Sequence, residues 1–188
     1  VSGAWQDKDE AAVVDVGAGL LGDLVKHDDW LPDSMAVCPP HGYAQNMLWC
    51  DPFERFSVVS FVWAPSAQTP VHDHQMWGLV GMLRGSEISQ AFSHDASGAL
   101  VAGKATTLAP GDVEILRPSA GDIHKVTNAL HDCGSLSIHV YGGNIGAVKR
   151  YTFDPATGKP NLFISGYTNQ IVPNLWDRSA EVRANTSS

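Results

Sequence analysis

Hydrophobic and polar positions change rhythm once along this chain. Near the start, Ala11, Val14, Leu21, Leu24 and Val25 fall on one stripe with Asp and Lys between them. That spacing predicts an amphipathic helix within residues 1–30. Gly17, Gly19 and Gly22 interrupt the stripe and predict a break in it. Pro32, Pro39 and Pro40 then mark a loop. From about Tyr43 onward, short runs rich in Val, Ile, Phe and Trp alternate with turn clusters: Asp51-Pro52, Ala64-Pro65-Ser66, Arg84-Gly85-Ser86, Ala96-Ser97-Gly98, Ala109 to Asp112, and Pro118 to Asp122. Turns at such spacing predict an all-β barrel or sandwich. The expected division is a helical extension over 1–42, a barrel over 43–176 and a polar tail over 177–188, all in one domain. Asp154 to Pro160 reads as a hairpin or loop, and the tail reads as frayed beyond an anchoring Trp176.

Composition narrows the function classes. The 188 residues are 44% hydrophobic and 17% charged, enough to bury a sizeable core. Lys and Arg total 12 against 20 Asp and Glu, a net charge of -8. A nucleic-acid or anionic-membrane surface needs clustered positive charge, so neither partner is expected, and nothing calls for an obligate protein partner. The best apolar run, Phe56 to Ala64, holds two serines and stops at Pro65, so it reads as a buried strand and not a membrane span. No charged segment followed by an apolar one opens the chain, so no signal peptide is expected, although the missing initiator Met leaves room for a removed leader. Cys38, Cys50 and Cys133 form no CxxC pair and no disulfide framework. Reduced thiols fit a cytoplasmic location.

The sharpest local signal is Pro70-Val71-His72-Asp73-His74. In a strand, alternate residues share a face, so His72 and His74 point together and Asp73 points away. Two imidazoles on one face are half of a metal site, or a pair of ordinary surface or core histidines. Gly111 to Asn128, GDVEILRPSAGDIHKVTN, adds a turn, a strand, a second turn and then His124. This segment resembles the second motif of the cupin superfamily, and His72 to Gly85 resembles the first. The resemblance implies a mainly β fold, a jelly-roll-like cupin double-stranded β-helix barrel with N-terminal helices packed outside. It also makes His72, His74 and His124 three metal ligands. The glutamate ligand common in the first motif is missing, because Gln75-Met76-Trp77-Gly78-Leu79 holds no carboxylate. Glu87 lies too far along to replace it. Three neutral ligands leave a divalent ion its full charge and open positions, which suits an anionic ligand such as a thiolate.

Leu136 to Tyr141 reads LSIHVY. On a strand, Ser137, His139 and Tyr141 share one face, where serine can orient the imidazole and the imidazole can orient or partly deprotonate the phenol. No GxSxG elbow surrounds Ser137, which argues against a serine hydrolase. His-x-His, a later single His, then Ser-x-His-x-Tyr resembles the thiol dioxygenases, the family of cysteine and 3-mercaptopropionate dioxygenases. The resemblance runs from about Tyr43 to Trp176. It implies one Fe(II) per chain held by His72, His74 and His124. O2 would be co-substrate and a small thiol carboxylate would be oxidised to its sulfinate. Tyr141, His139 and Ser137 would be catalytic. The position of the cysteine that cross-links to this tyrosine in mammalian members is Gly78 here, so no thioether is expected. That is the pattern of the bacterial branch.

For substrate binding the resemblance points to Gln45 and Arg150. Trp63, Phe61, Met76 and Trp77 read first as core residues, with Trp77 the best candidate for the pocket rim. Gln45 stands where cysteine dioxygenases carry a carboxylate-binding arginine, and Arg150 stands where the 3-mercaptopropionate enzymes carry theirs. An arginine fork binds both oxygens of a carboxylate. This favours 3-mercaptopropionate. L-Cysteine, mercaptosuccinate, another metallo-cupin reaction, or a ligand-binding cupin without turnover are the alternatives.

Overall fold

The structure is a computed structural model that describes residues 7–169 and 178–186. Eleven strands follow a helix α1 (Asp7–Leu24): β1 (Tyr43–Cys50), β2 (Ser57–Trp63), β3 (Val71–His72), β4 (Gly78–Arg84), β5 (Glu87–His94), β6 (Leu100–Leu108), β7 (Val113–Leu116), β8 (His124–Asn128), β9 (Ser135–Tyr141), β10 (Arg150–Phe153) and β11 (Pro160–Phe163). A short helix, α2 (Ser179–Ala184), comes last. One antiparallel sheet runs β1-β2-β9-β4-β7 and the other runs β11-β10-β3-β8-β5-β6. The crossings between the sheets are those of a jelly roll, here the cupin double-stranded β-helix.

The central strands β2, β9 and β4 of the first sheet are buried on both faces, and this explains the apolar runs of β2 and β4. Leu79, Leu136 and Ile138 face outward and pack under Val14 and Leu21 of α1 and Val25 just after it. Val59, Phe61, Trp63, Val80, Met82 and Tyr141 fill the inside with Val126, Leu108 and Leu116. Fully burying each of these three side chains contributes at most about 1.5–3 kcal/mol. That burial holds α1 continuous through its glycines, where the sequence pattern predicts a break. Two of the close contacts need glycine. A Cβ on Gly17 would lie 3.0 Å from Leu79 Cδ1, and one on Gly81 would lie 2.8 Å from Leu21 Cγ. The helix therefore rides close on the sheet at Gly17 and opposite Gly81, whereas Gly19 faces open space.

The Asp154–Pro160 segment joins β10 to β11 as an antiparallel hairpin, with Asp154 Oδ1 capping the turn at Ala156 and Thr157. The tail departs from expectation. Residues 179–184 are helical, Ser179 is buried, and Arg183 donates to the backbone carbonyls of Ile164 and Ser165 at 2.8 and 3.4 Å. Trp176 and the expected barrel end lie outside the described residues. Among the described residues no helix is long and apolar enough to cross a membrane.

Candidate metal centre and pocket

His72 and His124 are register partners on β3 and β8. His74 joins them by another route than the expected strand alternation. Strand β3 ends at His72, and the chain turns so sharply that Gln75 has φ 61°. The Asp122 carboxylate holds this turn by accepting the backbone N–H of His74 at 2.9 Å and of Gln75 at 3.3 Å. Asp73 does point away, accepting from the Tyr151 N–H and the Gln75 amide.

The three imidazoles are buried, and one nitrogen from each lies within 4.8 Å of the others. His72 Nδ1 donates to the Pro70 carbonyl at 3.0 Å, and His124 Nδ1 pairs with Ser89 Oγ at 3.1 Å. Each leaves Nε2 free for a metal, as metal-bound imidazoles usually do. Neither nitrogen of His74 has a hydrogen-bond partner, although both are buried. Orphaned buried nitrogens are costly and fit a missing ligand. Asp122 Oδ2 lies 3.7 Å from His74 Nδ1, too far for a hydrogen bond, but it places a negative charge beside the cluster. Burial comes first, and neighbouring positive charge second, in pushing His72 and His74 well below the ordinary imidazole range. Burial likewise lowers His124 to about 4. All three are therefore neutral at neutral pH and could serve as ligands. The donor set fits a first-row divalent ion.

Beside this cluster, Ser137, His139 and Tyr141 line the inward face of β9. Ser137 Oγ meets His139 Nε2 at 2.8 Å, and His139 Nδ1 meets the Tyr141 hydroxyl at 2.8 Å. Trp63 Nε1–H also donates to Ser137 Oγ at 3.3 Å. Burial dominates both titrations. It lowers His139 to about 3 and raises Tyr141 above its usual value despite the opposing Arg150 charge. The line therefore orients the phenol and does not deprotonate it. The Tyr141 ring stacks on that of His74 at 5.6 Å, so the line ends at the histidine cluster. A Cβ on Gly78 would sit 3.1 Å from the Tyr141 ring, which places Gly78 against its edge.

Gln45, His72, Tyr141 and Arg150 share a narrow cavity of about 20 Å³ with Tyr43, Phe61, Thr69, Pro70 and Phe163. Arg150 is 3% exposed, although sequence alone fits a surface arginine equally well. Its Nη2 donates to Ser165 Oγ at 3.0 Å, its guanidinium lies 5.0 Å from the Phe163 ring centre, and its Nε has no partner. Among the described residues no carboxylate forms a salt bridge with it. The Gln45 amide N–H2 donates to Ser165 Oγ and the Gly166 carbonyl at 3.2 and 2.9 Å. Trp77 is placed elsewhere. It lies on the other side of the sheet and lines the apolar groove beside α1 with Leu20, Leu21 and Val140. Sequence reading missed Asp122, Ser89 and Ser165. Only Asp122 carries a local signal, as the acidic residue in the turn two positions before His124.

No protein-family model matches the chain. Similar solved structures include a Klebsiella pneumoniae protein with a double-stranded β-helix domain, at 14% identity over 72% of this chain and 97% of that one, with TM-score 0.48. A cupin superfamily protein from Desulfitobacterium hafniense is similar at 16% identity over 61% and 91%, with TM-score 0.45. An oxalate oxidase bound to the substrate analogue glycolate is similar at 17% identity over 63% and 60%, with TM-score 0.46.

Proposed function

We propose that this cupin is an Fe(II)-dependent thiol dioxygenase that converts a small thiol carboxylate and O2 to the sulfinate, with 3-mercaptopropionate the favoured substrate. The observation that carries this reading is the juxtaposition of three elements around one cavity. They are a neutral three-histidine cluster without a carboxylate among its three residues, the Tyr141 end of a hydrogen-bonded line, and a buried arginine that forms no salt bridge among the described residues. His72, His74 and His124 would hold the ion. When bound, it supplies a site at which thiolate and O2 come together and are activated.

The chain's own groups do the rest. Arg150 receives the substrate carboxylate on its free edge, because a buried guanidinium without an anion is costly and a carboxylate relieves that cost. Gln45 has its amide N–H2 engaged by Ser165 and Gly166, so it shapes the pocket and leaves the charge to Arg150. Tyr141 holds its hydroxyl at the cluster, where it can donate to a sulfur or oxygen atom. Phe61, Tyr43 and Phe163 keep water out. Both oxygen atoms enter the sulfinate and the thiol supplies the electrons, so no organic cofactor is required.

Protein loaded anaerobically with Fe(II) tests the reading through O2 consumption and sulfinate yield, with 3-mercaptopropionate and L-cysteine side by side. Preference for 3-mercaptopropionate, at one sulfinate per O2, is the expected result. Preference for cysteine would keep the iron chemistry and overturn the role given to Gln45 and Arg150. No uptake with either thiol by iron-replete protein would overturn the dioxygenase.

A further inference from the structure

Among the described residues, the Arg150 guanidinium makes one hydrogen bond, from Nη2 to Ser165 Oγ at 3.0 Å. Its Nε–H is buried without a partner, and the Phe163 ring lies against one of its faces. The Ser165 hydroxyl has no freedom to spare. Arg150 Nη2 and, at 3.2 Å, Gln45 Nε2 can only donate to it, so both of its lone pairs are taken. Its own hydrogen is left with the Ile145 carbonyl, 3.4 Å away. The stretch that carries Ser165 is held from three sides. Arg183 of α2 donates to the Ile164 and Ser165 carbonyls. The Gly166 N–H donates to the Gly146 carbonyl at 2.9 Å, and the Thr168 N–H donates to the Gln45 carbonyl at 2.7 Å. Between these ties the chain turns at Gly166, with φ 71°, and a Cβ there would lie 3.1 Å from Ser179 Oγ. Glycine lets this turn seat directly under α2.

The root of the arginine is fixed as firmly as its tip. Thr152 is the register partner of His72, and Arg150 stands two residues before Thr152 on β10. Alternate residues share a face, so Arg150 and His72 line one cavity from neighbouring strands, about 6.5 Å apart along them. The stem between root and tip is long and flexible, and an unanchored tip would sweep. We infer that Ser165 is a positioning residue that fixes the Arg150 tip, and so sets the length of acid that fits between the histidine cluster and the guanidinium. Cluster and tip become two fixed points. A chain one methylene too short or too long then reaches only one of them. The inference rests on the reading of this cavity as a site for a thiol carboxylate, with the sulfur end at the histidines and the carboxylate at Arg150. It needs no step that involves O2.

Isothermal titration of the full chain with Zn(II) added reads this without turnover. The ligands are mercaptoacetate, 3-mercaptopropionate and 4-mercaptobutyrate, with 3-mercaptopropanol as the uncharged control. The wild type should bind 3-mercaptopropionate at least about 10-fold more tightly than either neighbour in length. Ser165→Ala should lose about 10-fold of that affinity and bring the three acids within about 3-fold of one another, because a freed guanidinium can follow each carboxylate. Its affinity for 3-mercaptopropanol should stay within about 2-fold of the wild type, which a general loss of structure would not allow. Ser165→Thr keeps the hydroxyl and should restore the length profile. The inference is overturned by a wild type indifferent to length, by a Ser165→Ala profile as sharp as that of the wild type, or by equal losses for the acids and the alcohol. The expected profiles in a protein that consumes no O2 would leave the inference standing and remove only the dioxygenase.

Discussion

Replacing Glu87 by Gln should stabilise the protein, and the gain should depend on pH in one direction. Glu87 is fully buried inside the barrel, so the native state holds its proton up to about pH 8, whereas an unfolded glutamate releases it near 4.5. Between those values the unfolded state binds fewer protons than the native state, so native stability falls as pH rises. A difference of about 3.5 units corresponds to roughly 5 kcal/mol above pH 8 and roughly 3 kcal/mol at pH 7. Gln has the same shape, carries no proton to lose, and can still accept from the Ser135 hydroxyl, which meets Glu87 Oε1 at 3.0 Å. Its advantage should therefore be near zero at about pH 4.5, grow through neutrality and level off above about pH 8. Urea denaturation of both proteins across this range gives the difference directly. A ΔΔG that does not vary with pH would refute the reasoning, because it would mean that Glu87 ionises equally in both states.

Three other perturbations probe the neighbouring groups. Ser89→Ala removes the partner of His124 Nδ1 and should weaken metal affinity by about 10–100-fold, with folding retained, as read by competitive chelator titration. Arg150→Lys loses the fork and should cost about 2–3 kcal/mol of substrate binding, a roughly 30–150-fold rise in KM for thiol carboxylates, with little change for an uncharged thiol of the same length. The metal-free protein should lose stability as pH falls below 6.5, because unfolded imidazoles take up protons that buried His124 and His139 refuse until about 4 and about 3. Thermal melts between about pH 7 and about pH 4 measure that slope, and a flat profile would contradict it.

Much of the site is legible in the sequence because strands translate spacing into direction. Ser137, His139 and Tyr141 alternate on one long strand, and the structure bonds them in that order. The outward residues between them, Ile138 and Val140, meet the α1 side. His72 and His124 could be paired only through the resemblance to a known barrel, since nothing local joins positions 72 and 124. His74 shows where the strand rule runs out. The residue reaches the expected place, but a turn pinned by Asp122 takes it there. Arg150, Gln45 and Ser165 meet across separations that no periodicity encodes. Glu87 was weighed only as a metal ligand, because its depth in the barrel depends on β7 and β9 closing over it. Gly17 of α1 escapes a local reading for the same reason, since its close neighbour Leu79 lies on the facing sheet.

The anchor shared by Gln45 and Arg150 has a consequence for how such a pocket can diversify. Ser165 belongs to the stretch after β11, outside the strands that carry the histidines, and α2 braces that stretch through Arg183. On the proposed function, the groups that would handle oxygen lie in the barrel wall, while the arginine that would hold the acid leans on a peripheral clasp. A lineage could rewrite the clasp by drift in a loop and a terminal helix while every group around the histidines stays in place. New thiol acids would then become accessible without a detour through an inactive ancestor.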